Sequence, residues 1–231
     1  MIQKSANLQP DRDHHPAVIP VWDLPTRLFH WALVALVVIC FVTAKTGGNA
    51  MQYHEWSGVT ILVLLIFRLI WGFVGSRPSR FGDFLKGPAT VWQYATGLVK
   101  GNAVRYLGHN PLGGWSVLAM LLVVMLQAVL GLFANDDIFT EGPLFLWVSK
   151  AASDRLTRIH RLNQYVIMGL TAIHILAVAY HFFIERENLL KPMFTGTKPR
   201  SGDDTAPAPA PNWLAAVIVI LTGCVVYLIV Y

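Results

Sequence analysis

RIHRLNQYVIMGLTAIHILAVAYH, residues 158–181, decides the fold. Three histidines punctuate a segment that is otherwise almost all apolar from Tyr165 to Ile184. His160 and His174 are 14 residues apart. On an α-helix at ~1.5 Å per residue this is about 21 Å of axis and four turns less ~40°. Two imidazoles therefore leave nearly one face at two depths. His30 and His54 stand at the starts of two other apolar runs.

The chain has 231 residues, 55% hydrophobic and 13% charged. Several of its apolar runs reach the ~18 residues needed to cross a bilayer, which implies an integral membrane protein. The reading is an all-α transmembrane bundle. Residues 1–25 form a polar arm, and 26–195 a four-helix unit. A Pro/Ala-rich linker follows over 196–212, then a fifth helix over 213–231. The spans are expected at 28–44, 54–74, 112–134, 156–184 and 213–231, with a surface helix at 89–99. Residues 144–157 suit an interfacial position. The first apolar run begins only near Leu28, which argues against a cleaved secretory signal. Cys40 and Cys224 lie in apolar runs outside any C-x-x-C-H motif, so neither covalent haem nor a disulfide is expected.

The net charge of +5 flanks spans and forms no dense patch, so nucleic-acid binding is not implied. With the N-terminus cytoplasmic, the inner segments hold Lys4, Arg12, Arg27, Arg77, Arg80, Lys86, Lys100, Arg105, Arg186, Lys191, Lys198 and Arg200. The outer ones hold only Lys45, Lys150, Arg155, Arg158 and Arg161. This bias favours N-terminus in, C-terminus out.

That topology pairs the histidines by depth. His30 and His174 fall in an inner layer, His54 and His160 in an outer one. A flat macrocycle with one axial nitrogen on each face takes such pairs from a bundle core, so the expectation is two haems with these four histidines as iron ligands. Zinc would need three or four ligands converging with carboxylates or thiolates, and the spans carry no Asp or Glu. His181 has three readings: a replacement for His174, part of a quinone pocket, or an interfacial residue. His14, His15 and His109 lie in polar segments and are expected to be solvated. Arg68 interrupts span two and needs either an anion such as a haem propionate or an interfacial position. Arg27 suits the same inner haem, and Arg158 and Arg161 the outer one. Gly58, one turn from His54, would admit a macrocycle or simply pack a helix. Gln127 reads as an interhelical hydrogen-bonder. The acidic stretch Asp136, Asp137 and Glu141 could steer a basic partner or be an ordinary hydrated loop.

VWDLPTRLFHW, the His54 start of span two, FRLIWGFVGSRPSRF, GHNPLGGW, DDIFTEGP and the His160/His174 helix running into ERENLLKPM occur in that order. Over roughly residues 20–195 this resembles the prokaryotic cytochrome b561 family, which is similar to the b-type cytochrome subunits of nickel–iron hydrogenases. The resemblance implies two non-covalent b haems, one shared by spans one and four and one by spans two and four. It assigns His30, His54, His160 and His174 as ligands. It also implies electron transfer across a bacterial inner membrane between quinone or quinol and a redox protein, a c-type cytochrome or a dehydrogenase such as hydrogenase. The alternatives are a stand-alone quinol oxidase reducing oxygen or superoxide, and a non-redox anchor or transporter. The fifth span departs from a four-span pattern and suits docking or homo-oligomerisation.

Overall fold

A computed structural model describes residues 18–138, 140–200 and 208–231. A short strand β1 (Val18–Pro20) leads into helices α1 (Leu24–Thr46) and α2 (Ala50–Val74). Two short helices follow, α3 (Phe81–Phe84) and α4 (Pro88–Val99), then α5 (Pro111–Gly131) and α6 (Lys150–Phe183). The chain ends with α7 (Leu190–Thr195), strand β2 (Thr197–Pro199) and α8 (Asn212–Val230). Five of these helices, α1, α2, α5, α6 and α8, are long and apolar enough to cross a membrane.

Local chemistry sets the helix ends. Asp23 caps α1 by accepting from Thr26 N at 2.8 Å, with Pro25 in the first turn. Gly47 and Gly48, at φ 67° and 54°, make the tight turn into α2, a backbone region open to glycine. Asn110 and Pro111 start α5 in the same way as Asp23 and Pro25 start α1. Ser149 caps α6, which then runs for 34 residues. At ~1.5 Å per residue it is about 51 Å long and must project beyond a ~30 Å hydrocarbon layer. Residues 150–157 form the first two turns of this helix, which starts six residues before the expected span. They are tied to the loop before it: Ser153 Oγ donates to Phe133 O at 2.6 Å, and Asn135 N donates to Thr157 Oγ1 at 3.0 Å.

The core forms where α1, α2, α5 and α8 meet, around Phe29, Leu65, Phe67, Trp71, Leu121 and Ile218. Gly72 permits it: a Cβ there would overlap the Phe81 ring at 2.1 Å. The fifth span is thus an integral part of the bundle, packed along α2. By contrast α6 packs along α5 and makes no comparable approach to α1 or α2. Asn163 fastens that seam, donating to Val123 O at 3.0 Å and Gln127 Oε1 at 2.9 Å. Much of the remaining apolar surface, such as Phe73, Leu122, Leu176 and Leu228, faces outward as lipid-contacting helices do.

The two ends of the bundle differ. The hairpin end holds the α1–α2 turn and the loop before α6. The arm end holds β1, the 77–110 segment and the chain after α6. There β1 pairs antiparallel with β2, Val18 opposite Pro199 and Pro20 opposite Thr197. Trp31 donates to Met193 O at 3.1 Å and stacks on Phe194 at 4.6 Å, so the chain after α6 is clipped to the start of α1.

Candidate haem sites

At the hairpin end His54 and His160 lie side by side with ring centroids 6.2 Å apart and planes at 79°. His54 Nδ1 donates to Cys40 O at 2.9 Å, and His160 Nδ1 donates to Gln127 O at 3.0 Å. A carbonyl only accepts, so each ring carries its proton on Nδ1 and keeps Nε2 as the bare, basic nitrogen. This is the arrangement that prepares a histidine for a metal. The 6.2 Å between ring centres leaves room for one metal ion between two imidazoles. A cavity of about 480 Å³ surrounds the pair, lined by Cys40, Gly58, Gln127 and Arg161 among others. A Cβ on Gly58 would meet nothing within 4 Å, whereas one on Gly131 would press on His160 Cε1 at 3.2 Å. Gly58 therefore borders open space, and Gly131 lets the His160 ring lie against α5. Arg158, in contrast, is exposed and does not line this cavity.

At the arm end His30 on α1 and His174 on α6 are half-buried and within electrostatic range of each other. Arg68 is 2% exposed, so it does not snorkel. Its Nη2 donates to Ser79 O at 3.0 Å, and its guanidinium lies over the Phe81 ring at 5.2 Å. Arg27 Nη1 donates to Phe194 O at 2.5 Å. His181 is buried, with both nitrogens facing protein groups: Asn110 Nδ2 donates to Nε2 at 3.3 Å, and Glu187 Oε2 lies 3.6 Å from Nδ1. Among the described residues, the buried side-chain polar atoms without a hydrogen-bond partner are Arg27 Nε, His30 Nδ1, Arg68 Nη1, His109 Nδ1 and His181 Nδ1. All five belong to this end.

The sequence profile of the prokaryotic cytochrome b561 family matches residues 21–196, which spans α1 to α7. The chain belongs to that family. It is 24% identical to a probable Ni/Fe-hydrogenase B-type cytochrome subunit of Rhizobium leguminosarum bv. viciae over 77% of this chain and 87% of the relative. A protein of the same description from Rhodobacter capsulatus is 24% identical over 76% and 79%. The probable Ni/Fe-hydrogenase 1 B-type cytochrome subunit of Escherichia coli strain K12 is 22% identical over 76% and 88%. No solved structure matches.

This b-type cytochrome is accordingly a multi-pass bacterial membrane protein of electron transfer that binds haem b. Its residues fit the group: paired bare imidazole nitrogens at one end, a glycine facing open space, and unpartnered buried donors at the other. One expectation about the cytochrome needs correction. His109 is not solvated: its ring is held between Trp22 at 4.6 Å and Phe84 at 4.8 Å. Its Nδ1 is buried even though part of the residue remains accessible. The expectation failed because residues 77–110 fold under the end of α2, a tertiary event that the polar GHNP stretch does not announce. Asn163 was also missed, for want of any motif around it. Gln127 joins two helices, as its isolation in an apolar run suggested. His14 and His15 lie outside the described residues.

Proposed function

We propose that this cytochrome holds two b haems, one between His54 and His160 and one between His30 and His174, and carries electrons across the membrane between quinone and a redox protein. The observation that carries the reading is the hairpin-end pair, 6.2 Å apart with both Nδ1 protons committed to carbonyls. Haem bound at these positions supplies one-electron redox chemistry. The chain's own contribution is positional. Cys40 and Gln127 carbonyls fix the ring tautomers, Gly58 leaves room beside α2, and the standoff of α6 from α1 and α2 keeps the space between the pairs open. Arg161 offers positive charge at the hairpin-end cavity, and Arg27 and Arg68 at the arm end. Arg158 would serve only from the surface.

His174 is favoured over His181 as the arm-end ligand because both nitrogens of His181 already face Asn110 and Glu187. His181 suits the quinone-linked role instead. The Lys and Arg count supports an arm end in the cytoplasm and a C-terminus of α8 in the periplasm. The redox partner then meets the hairpin end, where a hydrogenase, as the relatives' names suggest, another dehydrogenase or a c-type cytochrome would dock. Pyridine haemochrome analysis of fully loaded protein should give two haems per chain, both released by acid–acetone, with one lost in His54→Ala. One haem or fewer in the wild-type chain refutes the two-site reading.

A further inference from the structure

Of the five unpartnered buried polar atoms at the arm end, two belong to side chains that lean on one ring, Arg68 and His109 against Phe84. Arg68 is buried, yet it forms no ion pair among the described residues. The Asp23 carboxylate influences it only through space. The Asp23 oxygens are taken by Thr26 N at 2.8 Å, Trp71 Nε1 at 3.1 Å and Ser79 Oγ at 3.2 Å. Arg68 Nη1 is left buried with no acceptor. A buried guanidinium without an anion is strongly unfavourable.

His109 stands close by. Both groups lean on Phe84, the Arg68 guanidinium 6.0 Å and the His109 ring 4.8 Å from its centre. His109 Nδ1 is likewise buried with no hydrogen-bond partner. Burial first, then the charges of Arg68, His174, Lys198 and His30, push the His109 ring down to about 3, so it is neutral at pH 7. The surroundings thus combine a fixed positive charge and a neutral ring, each with a nitrogen unmatched. A group with one negative charge and two acceptor oxygens satisfies both at once. His30 and His174 lie within electrostatic range of the His109 ring.

We propose that Arg68 and His109 together hold a carboxylate side group of the haem seated between His30 and His174. The inference rests on the two-haem reading. It makes His109 a positioning residue: it touches a peripheral carboxylate, not the iron. The Trp22 and Phe84 rings hold its plane.

The test compares haem b with its dimethyl ester, which lacks the carboxylates, in full-length haem-free protein titrated with each. Two haems remain distinguishable by which of His54→Ala and His174→Ala removes them. The wild-type arm-end site should bind haem b at least tenfold more tightly than the ester. His109→Phe, which keeps an aromatic ring between Trp22 and Phe84, and Arg68→Met should each reduce that preference, and together abolish it. His109→Gln should restore part of it. In loaded protein His109→Phe should shift the arm-end reduction equilibrium about tenfold toward the oxidised form, ~59 mV for one electron, and leave the hairpin-end haem unchanged. A wild-type arm-end site indifferent to esterification overturns the proposal without any variant having to fold. So does a double variant that keeps full discrimination. Two haems without discrimination sink this inference alone, whereas a single haem held by His54 and His160 sinks the two-haem reading itself.

Discussion

Gly58→Ala should stabilise the haem-free protein and weaken haem binding, two effects of opposite sign from one methyl group. Gly58 lies in the interior of α2, where glycine costs ~0.5–1 kcal/mol relative to alanine. An added Cβ meets no protein atom within 4 Å, so nothing in the haem-free chain offsets that gain. The unfolding midpoint of haem-free protein in detergent should rise. Gly58 also lines the cavity shared by His54 and His160, so an added Cβ there meets whatever fills it. A macrocycle gripped by those two rings has little freedom to move aside. Overpacking of one methylene typically costs ~1–3 kcal/mol, which weakens binding about 5- to 150-fold. The assay is titration of haem-free protein with haem b, read at the Soret band, with His30 and His174 intact as the internal control. Wild-type affinity at the hairpin end, alongside the raised midpoint, would show that no macrocycle lies against Gly58. Equal weakening at both ends would show that the substitution acts through the bundle and not through the cavity.

Three further outcomes follow from particular contacts. His174→Ala should lose the arm-end haem and keep the hairpin-end one, while His181→Ala keeps both and alters only quinone-linked reduction; haem content and redox titration of each variant decide, and the reverse pattern would move the inner ligand to His181. Truncation after Arg200 removes α8 and exposes the α2 face around Leu62 and Leu65 to lipid, whose tails are equally apolar, so both haems should remain while the thermal midpoint falls; loss of either spectrum in an inserted truncation contradicts this. The His181 side chain first, then Lys198 at 2.9 Å, hold the Glu187 carboxyl down to about 2 from its usual 4.5. Because the folded value is the lower one, that stabilisation is complete above about 4.5 and fades as pH falls toward 2. Glu187→Gln should therefore lower stability by ~1–3 kcal/mol at neutral pH and remove this acid-limb loss, measured as the thermal midpoint against pH. An unchanged acid limb in the variant would mean that another carboxylate governs it.

The spans were legible because hydropathy is a property of runs, and the ends of α1 and α5 because Asp23-Leu-Pro and Asn110-Pro are local signals. The start of α6 was not: residues 150–155 have too little apolar content to register, and they become helical through the Ser149 cap and contacts to Phe133 and Asn135. The β1–β2 pair is three residues long on each side and joins segments far apart in the chain. Histidine depth was readable from spacing alone, since a helix converts residue count into height. What spacing cannot convey is what covers each face. An apolar helix side can meet lipid, another helix or a cofactor with the same composition. The structure separates these by small polar facts: a histidine proton fixed on a neighbouring helix's carbonyl, a glycine facing open space, an arginine buried without its anion. His109 shows the limit most clearly. Its neighbours in sequence are Gly108, Asn110 and Pro111, which read as a hydrated turn. Its neighbours in space are Trp22, Phe84 and Arg68, drawn from three other segments of the chain. Only the fold turns that residue from a surface histidine into an unmatched nitrogen within electrostatic range of His30 and His174.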